Sequence, residues 1–212
     1  MLTTIEKVNI DPNLPLLICD ADEVIFQFME SFEHYLTSNS LFFSYKSFKL
    51  NGNIINLKNN KPLEAEIIPT LITDFFKKYT IKLKLIDNCK KNLKELNKFL
   101  NIIILTNMPK EYAHYRVESL RNHDMHYDVI SNKGTKGEAC LKLSKKTKKP
   151  VFFIDDSPNQ ILSVANRTKN IYKIHFLQHQ KLRKILPKIK ESDFNTDSWE
   201  KVRKKILKII CN

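Results

Sequence analysis

Five short runs of apolar, β-branched or aromatic residues punctuate the chain, at 14–19, 102–105, 127–130, 151–154 and 171–176. Three of them are hydrophobic almost without interruption. That is the mark of strands covered on both faces, as in a parallel sheet. Helix-like stretches lie between them. Residues 88–100 put Cys89, Leu93, Leu96, Phe99 and Leu100 on one stripe. Residues 110–122 start after Pro109, and 136–146 and 158–166 flank the fourth run. Strand and helix in alternation predict an α/β fold with a Rossmann-like, doubly wound parallel sheet. Ligands of such sheets bind beyond the carboxyl ends of the strands, so the residues that follow each run are the ones to inspect.

One stretch breaks the alternation. Residues 29–80 read as a helix (29–37), a polar hairpin-like piece (48–60, with a turn at Asn51-Gly52) and a second helix (63–79). This predicts a small, mainly helical insertion at 29–80, with the core formed by 1–28 and 81–212. Aromatic residues crowd positions 26–45, as the insertion's own core or as the lining of an entrance. At the far end, Asp197 or Ser198 is placed to cap an amphipathic helix with Trp199, Val202, Ile206 and Ile209 on one face.

Composition adjusts this picture in a few places. With 212 residues and 42% hydrophobic content, one domain with a modest insertion can bury a real core. The formal net charge is +13, from 36 basic and 23 acidic residues, but 31 of the basic ones are Lys and only 5 are Arg. Lysines spread along the chain argue against a nucleic-acid groove, which favours Arg. The positive field still favours an anionic substrate. The four cysteines, with no CxxC, argue against a thiolate metal site. No run reaches the roughly 18 apolar residues of a membrane span, and no leader-like start is visible, so a cytoplasmic location is expected.

Acids and phosphate-binding types stand where the fold predicts a site. Asp20 and Asp22 follow the first run, Thr106-Asn107 the second and Asp155-Asp156 the fourth, with Lys133 and Lys136 between the third and fourth. Residues i and i+2 at a strand end point to one side, so Asp20 and Asp22 can address one ligand. Carboxylates converging on one crevice need a cation among them, and hard oxygen donors suit Mg²⁺. Thr106 supplies a hydroxyl and Lys136 an ammonium for phosphoryl oxygens; Asn107 stands beside them. A carboxylate can attack phosphorus and form an aspartyl-phosphate, and Asp22 can protonate the leaving oxygen and then activate water. His175 and His179, near a strand end with no visible third ligand, read as bland.

In this order, LLICDADEVIF, IIILTN, KGTKGEACLKL and VFFIDDSPNQI resemble the four motifs of the haloacid dehalogenase (HAD) superfamily. The resemblance implies a HAD-like α/β core and a Mg²⁺-dependent phosphohydrolase cleaving a small phosphorylated metabolite. It implies Asp20 as nucleophile, Asp22 as acid/base, Thr106 and Lys136 as phosphate-binding residues, and Asp155 and Asp156 as the fourth-motif acids. Asp20, the Asp22 backbone carbonyl and one or both of Asp155 and Asp156 would ligate the metal. The insertion at 29–80 matches the position of a C1-type cap. Two departures stand out. Glu23 occupies a position that is often Gly, and Asn159 and Gln160 stand where a further acid is usual. Lys133 remains an alternative to Lys136. A non-catalytic binding protein on the same fold, or a nucleic-acid end-processing phosphatase, are the other functions compatible with the sequence.

Overall fold

The computed structural model describes residues 1–186 and 189–211. In chain order the elements are β1 (Leu2–Thr3), β2 (Leu16–Cys19), α1 (Phe28–Ser38), β3 (Leu41–Phe43), β4 (Ile54–Asn56), α2 (Ile68–Tyr79), α3 (Cys89–Leu96), β5 (Asn101–Thr106) and α4 (Ala113–Asn122). There follow β6 (Asp128–Ser131), α5 (Gly137–Ser144), β7 (Val151–Asp155), α6 (Pro158–Arg167), β8 (Ile171–Phe176), α7 (Gln180–Ile185), β9 (Phe194–Thr196) and α8 (Trp199–Ile210).

Seven strands form one sheet in the order β1-β6-β5-β2-β7-β8-β9, every pair parallel. Successive side chains of a strand face opposite ways, and here both faces are covered. Leu17, Cys19, Ile102, Ile104 and Phe152 join one buried cluster, with side chains of α3, α4 and α8. Leu16, Ile18, Ile103, Leu105 and Phe153 join another, with side chains of α5 and α6. This is why the strands read as continuous apolar runs. Each large aliphatic buried this way is worth about 1.5–3 kcal/mol. The α/β, Rossmann-like doubly wound sheet expected from the sequence is the one observed.

Two glycines have steric duties on this frame. Gly137 opens α5 against α6: a Cβ there would lie 2.3 Å from the Ser163 carbonyl oxygen. Gly134 sits at φ +79°, a left-handed conformation that glycine adopts freely.

Between β2 and β5, residues 29–80 carry α1, α2 and the antiparallel pair β3–β4. Aromatic rings hold the two helices together, with Phe32 and Phe75 edge-on at 5.1 Å between centroids. Tyr35 adds a hydrogen bond to Asp74 (2.8 Å). The outgoing and returning chains are tied to each other. Gln27 N–H donates to Lys84 O (2.9 Å), Ile86 N–H to Ile25 O (2.8 Å) and the Gln27 side chain to Leu85 O (2.9 Å).

Several boundaries differ from expectation. The hairpin pairs Leu41–Phe43 with Ile54–Asn56, so its first strand precedes the 48–60 stretch, and the turn at Asn51-Gly52 lies within a longer connection. Asn53 explains this: it is buried, and its side chain bonds Ser44, Lys46, Ser47 and Lys49. α2 starts at Ile68, with Pro69 in its first turn. α3 stops at Leu96, so Phe99 leaves the expected stripe and is exposed. α5 covers 137–144 rather than 136–146. The C-terminal helix begins after Ser198, and Trp199, Val202 and Ile206 are buried while Ile209 is half-buried. The edge strands β1 and β9, two and three residues long, and the six-residue α7 were not expected.

Candidate active site

β2 lies at the centre of the sheet between β5 and β7, and the chain moves to one side of it before returning to the other. The carboxyl ends of these three strands therefore frame a crevice at the point where the strand order reverses. Asp20 leaves β2 and its N–H bonds Ile154 O at 2.9 Å. Asp155 ends β7, and its Oδ1 accepts from Ser157 N–H at 2.9 Å. These bonds set the direction of both carboxylates.

Lys136 joins them. Its Nζ donates to Asp20 Oδ1 (2.5 Å) and Asp155 Oδ2 (2.7 Å), and the side chain is buried. Burial alone would pull its pKa down; Asp155 and Asp20 outweigh that and raise it. Lys136 is held in place by its own backbone, whose N–H donates to Gln160 Oε1 (2.8 Å), and by the close α5–α6 approach at Gly137. Lys133 is exposed and forms no ion pair among the described residues. Of the two lysines weighed from sequence, the structure brings Lys136 to the acids.

Asp20, Asp155 and Asp156 each offer an oxygen, all within 4.8 Å of one another, and all three are buried. Burial pushes Asp155 up to about 7 against the pull of Lys136. Burial, then the Asp155 and Asp20 charges, raise Asp156 well above the usual carboxylate range. Fully ionised, the three acids would exceed the Lys136 ammonium by two negative charges, an excess that adds to burial in raising Asp155 and Asp156. A hard dication with room for water fits that donor set.

Asp22 lines the same cavity but stands outside the three-carboxylate group. Its carboxylate pairs with Arg116 of α4, which is fully buried over the Phe26 ring at 4.7 Å. The Nε and Nη1 atoms of Arg116 have no hydrogen-bond partner among the described residues. Burial raises the Asp22 pKa, and Arg116 opposes the rise. Thr106 is buried at the end of β5, where its hydroxyl accepts from Met108 N–H (3.3 Å). Asn107 lines the cavity and ties two loops together, donating to Gly134 O (2.8 Å) and accepting from Asn132 (2.9 Å).

Glu23 has φ +57°, which explains why glycine suits this position so well. Its side chain is buried and accepts from Met29 N–H (2.6 Å) in the first turn of α1. Burial still pushes it up to about 7. Gln160, standing near the place of a further acid, secures the Lys136 loop instead. His175 is less bland than its sequence context suggests. It is buried, with Nε2 2.9 Å from the Asp156 carbonyl and Nδ1 3.2 Å from Asn195 Oδ1. Arg116 carried no sequence signal beyond being one of few arginines.

These groups open onto a cavity of about 380 Å³. Its opposite wall comes from residues 29–80 and is apolar, with Phe43, Phe48, Leu50, Ile72 and Phe76 among its side chains.

No family model matches the chain, and no curated protein matches it by sequence. Solved structures do resemble it. A haloacid dehalogenase-like hydrolase from Streptococcus pneumoniae superposes with a TM-score of 0.59 at 13% identity, covering 92% of this chain and 99% of that one. A HAD family hydrolase from Deinococcus radiodurans, solved with bound phosphate and sodium, gives 0.60 at 11% identity, covering 93% and 96%. CbbY from Rhodobacter sphaeroides, solved as a mutant with xylulose-(1,5)bisphosphate, gives 0.59 at 11% identity, covering 88% and 95%. The chain has the haloacid dehalogenase-like fold. Among the described residues no helix is long and apolar enough to cross a membrane.

Proposed function

We propose that the protein is a divalent-metal-dependent phosphohydrolase that cleaves a small phosphate monoester through an aspartyl-phosphate. The observation that carries this reading is the buried group of Asp20, Asp155 and Asp156 with Lys136 bridging two of them. Asp20, Asp155, Asp156 and the Asp22 backbone carbonyl are the groups that would hold the metal, with Mg²⁺ the best match to hard oxygen donors. When bound, the metal would neutralise phosphoryl charge facing the acids.

In this reading the Asp20 carboxylate attacks phosphorus and the ester oxygen leaves with a proton from Asp22. Asp22 then takes a proton from water, which attacks the aspartyl-phosphate, releasing phosphate and restoring Asp20. Opposing influences suit Asp22 to both steps: burial favours its acid form, Arg116 its carboxylate. Lys136, Thr106 and Asn107 are assigned to the remaining phosphoryl oxygens. The phosphate in the Deinococcus neighbour and the sugar bisphosphate in the Rhodobacter one are in keeping with a phosphorylated small molecule here. Residues 29–80 would act as a C1-type cap that excludes water from the reacting centre. Four free thiols, three of them buried, accord with a reducing cytoplasm.

The test is hydrolysis of p-nitrophenyl phosphate with Mg²⁺, with EDTA, and by Asp20→Asn. Turnover should require both the metal and Asp20, with Asp20→Asn falling at least about a thousandfold. Equal activity in the three samples rejects the mechanism.

A further inference from the structure

We infer that the natural substrate is the monophosphate ester of an apolar alcohol, with no second anionic group. This rests on the phosphohydrolase reading and goes on to name what the phosphate is attached to.

The inference comes from the wall facing the acids. Residues 29–80 contribute Met29, Phe43, Phe48, Leu50, Ile72 and Phe76 to the cavity, and none of the polar or charged side chains that line it. The polar lining comes from the loops after the strands, on the side of the acids, and apart from the Ser157 hydroxyl it is already engaged. Asn107 and Gln160 bond other loop residues, and Lys136 is shared by two carboxylates. A sugar or glycerol moiety would thus carry hydroxyls against a surface that offers no partners, and unpaired buried hydroxyls are rejected strongly.

Charge excludes a second phosphate. Lys136 is the one cationic side chain lining the cavity among the described residues, whereas Asp20, Asp22, Glu23, Asp155 and Asp156 all line it. The chain's +13 is therefore spent elsewhere on the surface. With the phosphate at the acids, a second anionic group would be buried against the apolar wall, with no cationic side chain there to pair it. The volume of about 380 Å³ lies at the small end of ligand pockets, enough for a phosphate and a ring or short alkyl chain.

The apolar wall is also built to keep its shape. Phe48 and Leu50 ride on the connection between β3 and β4. Buried Asn53 pins that connection from inside: its Oδ1 accepts from Ser44 Oγ (2.9 Å) and Lys46 N–H (2.8 Å), and its Nδ2 donates to Ser47 Oγ and Lys49 O (both 2.8 Å). A preformed apolar surface loses little ordering entropy on binding.

The test uses non-hydrolysable ligands of similar size, titrated calorimetrically into the full chain with Mg²⁺: hexylphosphonate, 3,4-dihydroxybutylphosphonate and propane-1,3-diphosphonate. Hexylphosphonate should bind at least tenfold more tightly than either of the others, about 1.4 kcal/mol. Leu50→Ser and Ile72→Ser, on different elements and half-buried, should each cut that ratio about threefold or more. Equal or tighter binding of the dihydroxy or diphosphonate ligand overturns the inference. Hydrolysis is read separately. If hexylphosphonate is preferred and p-nitrophenyl phosphate is not hydrolysed, the ligand class stands and the hydrolase reading fails. If p-nitrophenyl phosphate is hydrolysed and the preference is absent, the ligand class alone fails.

Discussion

The cavity has two walls made in different ways. One is assembled from loops that leave β2, β5, β6 and β7, far apart in the chain, and its charged side chains are buried, with Lys136 bonded to Asp20 and Asp155. The other comes from α1, α2 and the β3–β4 connection, close together in the chain, and it is held by ring packing and an internal amide. In the first wall Asp20 and Asp155 share the Lys136 ammonium and Asp22 has Arg116, so a single loss leaves buried charge uncompensated. In the second, contacts are non-directional and spread over many atoms. In the proposed reading, the first wall decides what bond is broken and the second which molecule presents it.

That contrast can be broken most severely at Lys136. Lys136→Ala leaves Asp20, Asp155 and Asp156 without their ammonium, and in EDTA it should cost about 3–5 kcal/mol of stability by urea unfolding. Added Mg²⁺ should recover part of it, because the same charges are then met by another cation. If the metal-free variant unfolds like the parent, the charged wall is not under the tension described. Turnover should fall about a hundredfold or more.

Arg116 sharpens the same wall. Arg116→Met takes away the group that opposes the raised pKa of Asp22, so that pKa should rise further. The limb of the pH–rate profile governed by Asp22 moves to higher pH, with kcat lower by about ten- to a hundredfold. An unmoved profile with only a lower melting temperature would mean that Arg116 is merely structural.

Glu23 links the walls, and its effect depends on pH. Its folded pKa is raised from 4.5 to about 7, so the folded chain keeps a proton that the unfolded chain has lost. This group's contribution is most favourable below about 4.5, declines as pH rises toward about 7, and is level above that. In EDTA, Glu23→Gln should remove that decline while keeping an oxygen for Met29 N–H. The difference between variant and parent should grow by up to roughly 3 kcal/mol between pH 4.5 and 8. A constant difference across that range would contradict the assignment. The smallest effect belongs to the apolar wall: Ile72→Ala, at a half-buried site, should cost about 1 kcal/mol or less by the same unfolding measurement.

The two walls were not equally legible in the sequence. Asp20, Thr106, Asp155 and Asp156 could be located because each directly follows a run that is apolar on both faces, a signal carried by consecutive residues. Lys136 could be narrowed to two candidates, and burial beside Asp20 separated it from Lys133. The pairing of Asp22 with Arg116 spans 94 positions and leaves no periodic trace. The hairpin's first strand, Leu41–Phe43, lies before the 48–60 stretch read as hairpin-like, because the connection held by Asn53 is longer than the turn dipeptide alone suggests. Edge strands of two or three residues lie below any periodicity.

The paired crossing between the sheet and residues 29–80 has a mechanical consequence. Phe26 and Leu85 lie side by side in antiparallel register, with the Gln27 and Ile86 hydrogen bonds on either side. The two strips of backbone are thus laminated into one ribbon. Sliding one against the other must rupture the bonds between them, while flexing both together ruptures none. The ribbon resists shear far more than bending, so the easiest displacement of the apolar wall flexes both crossings together.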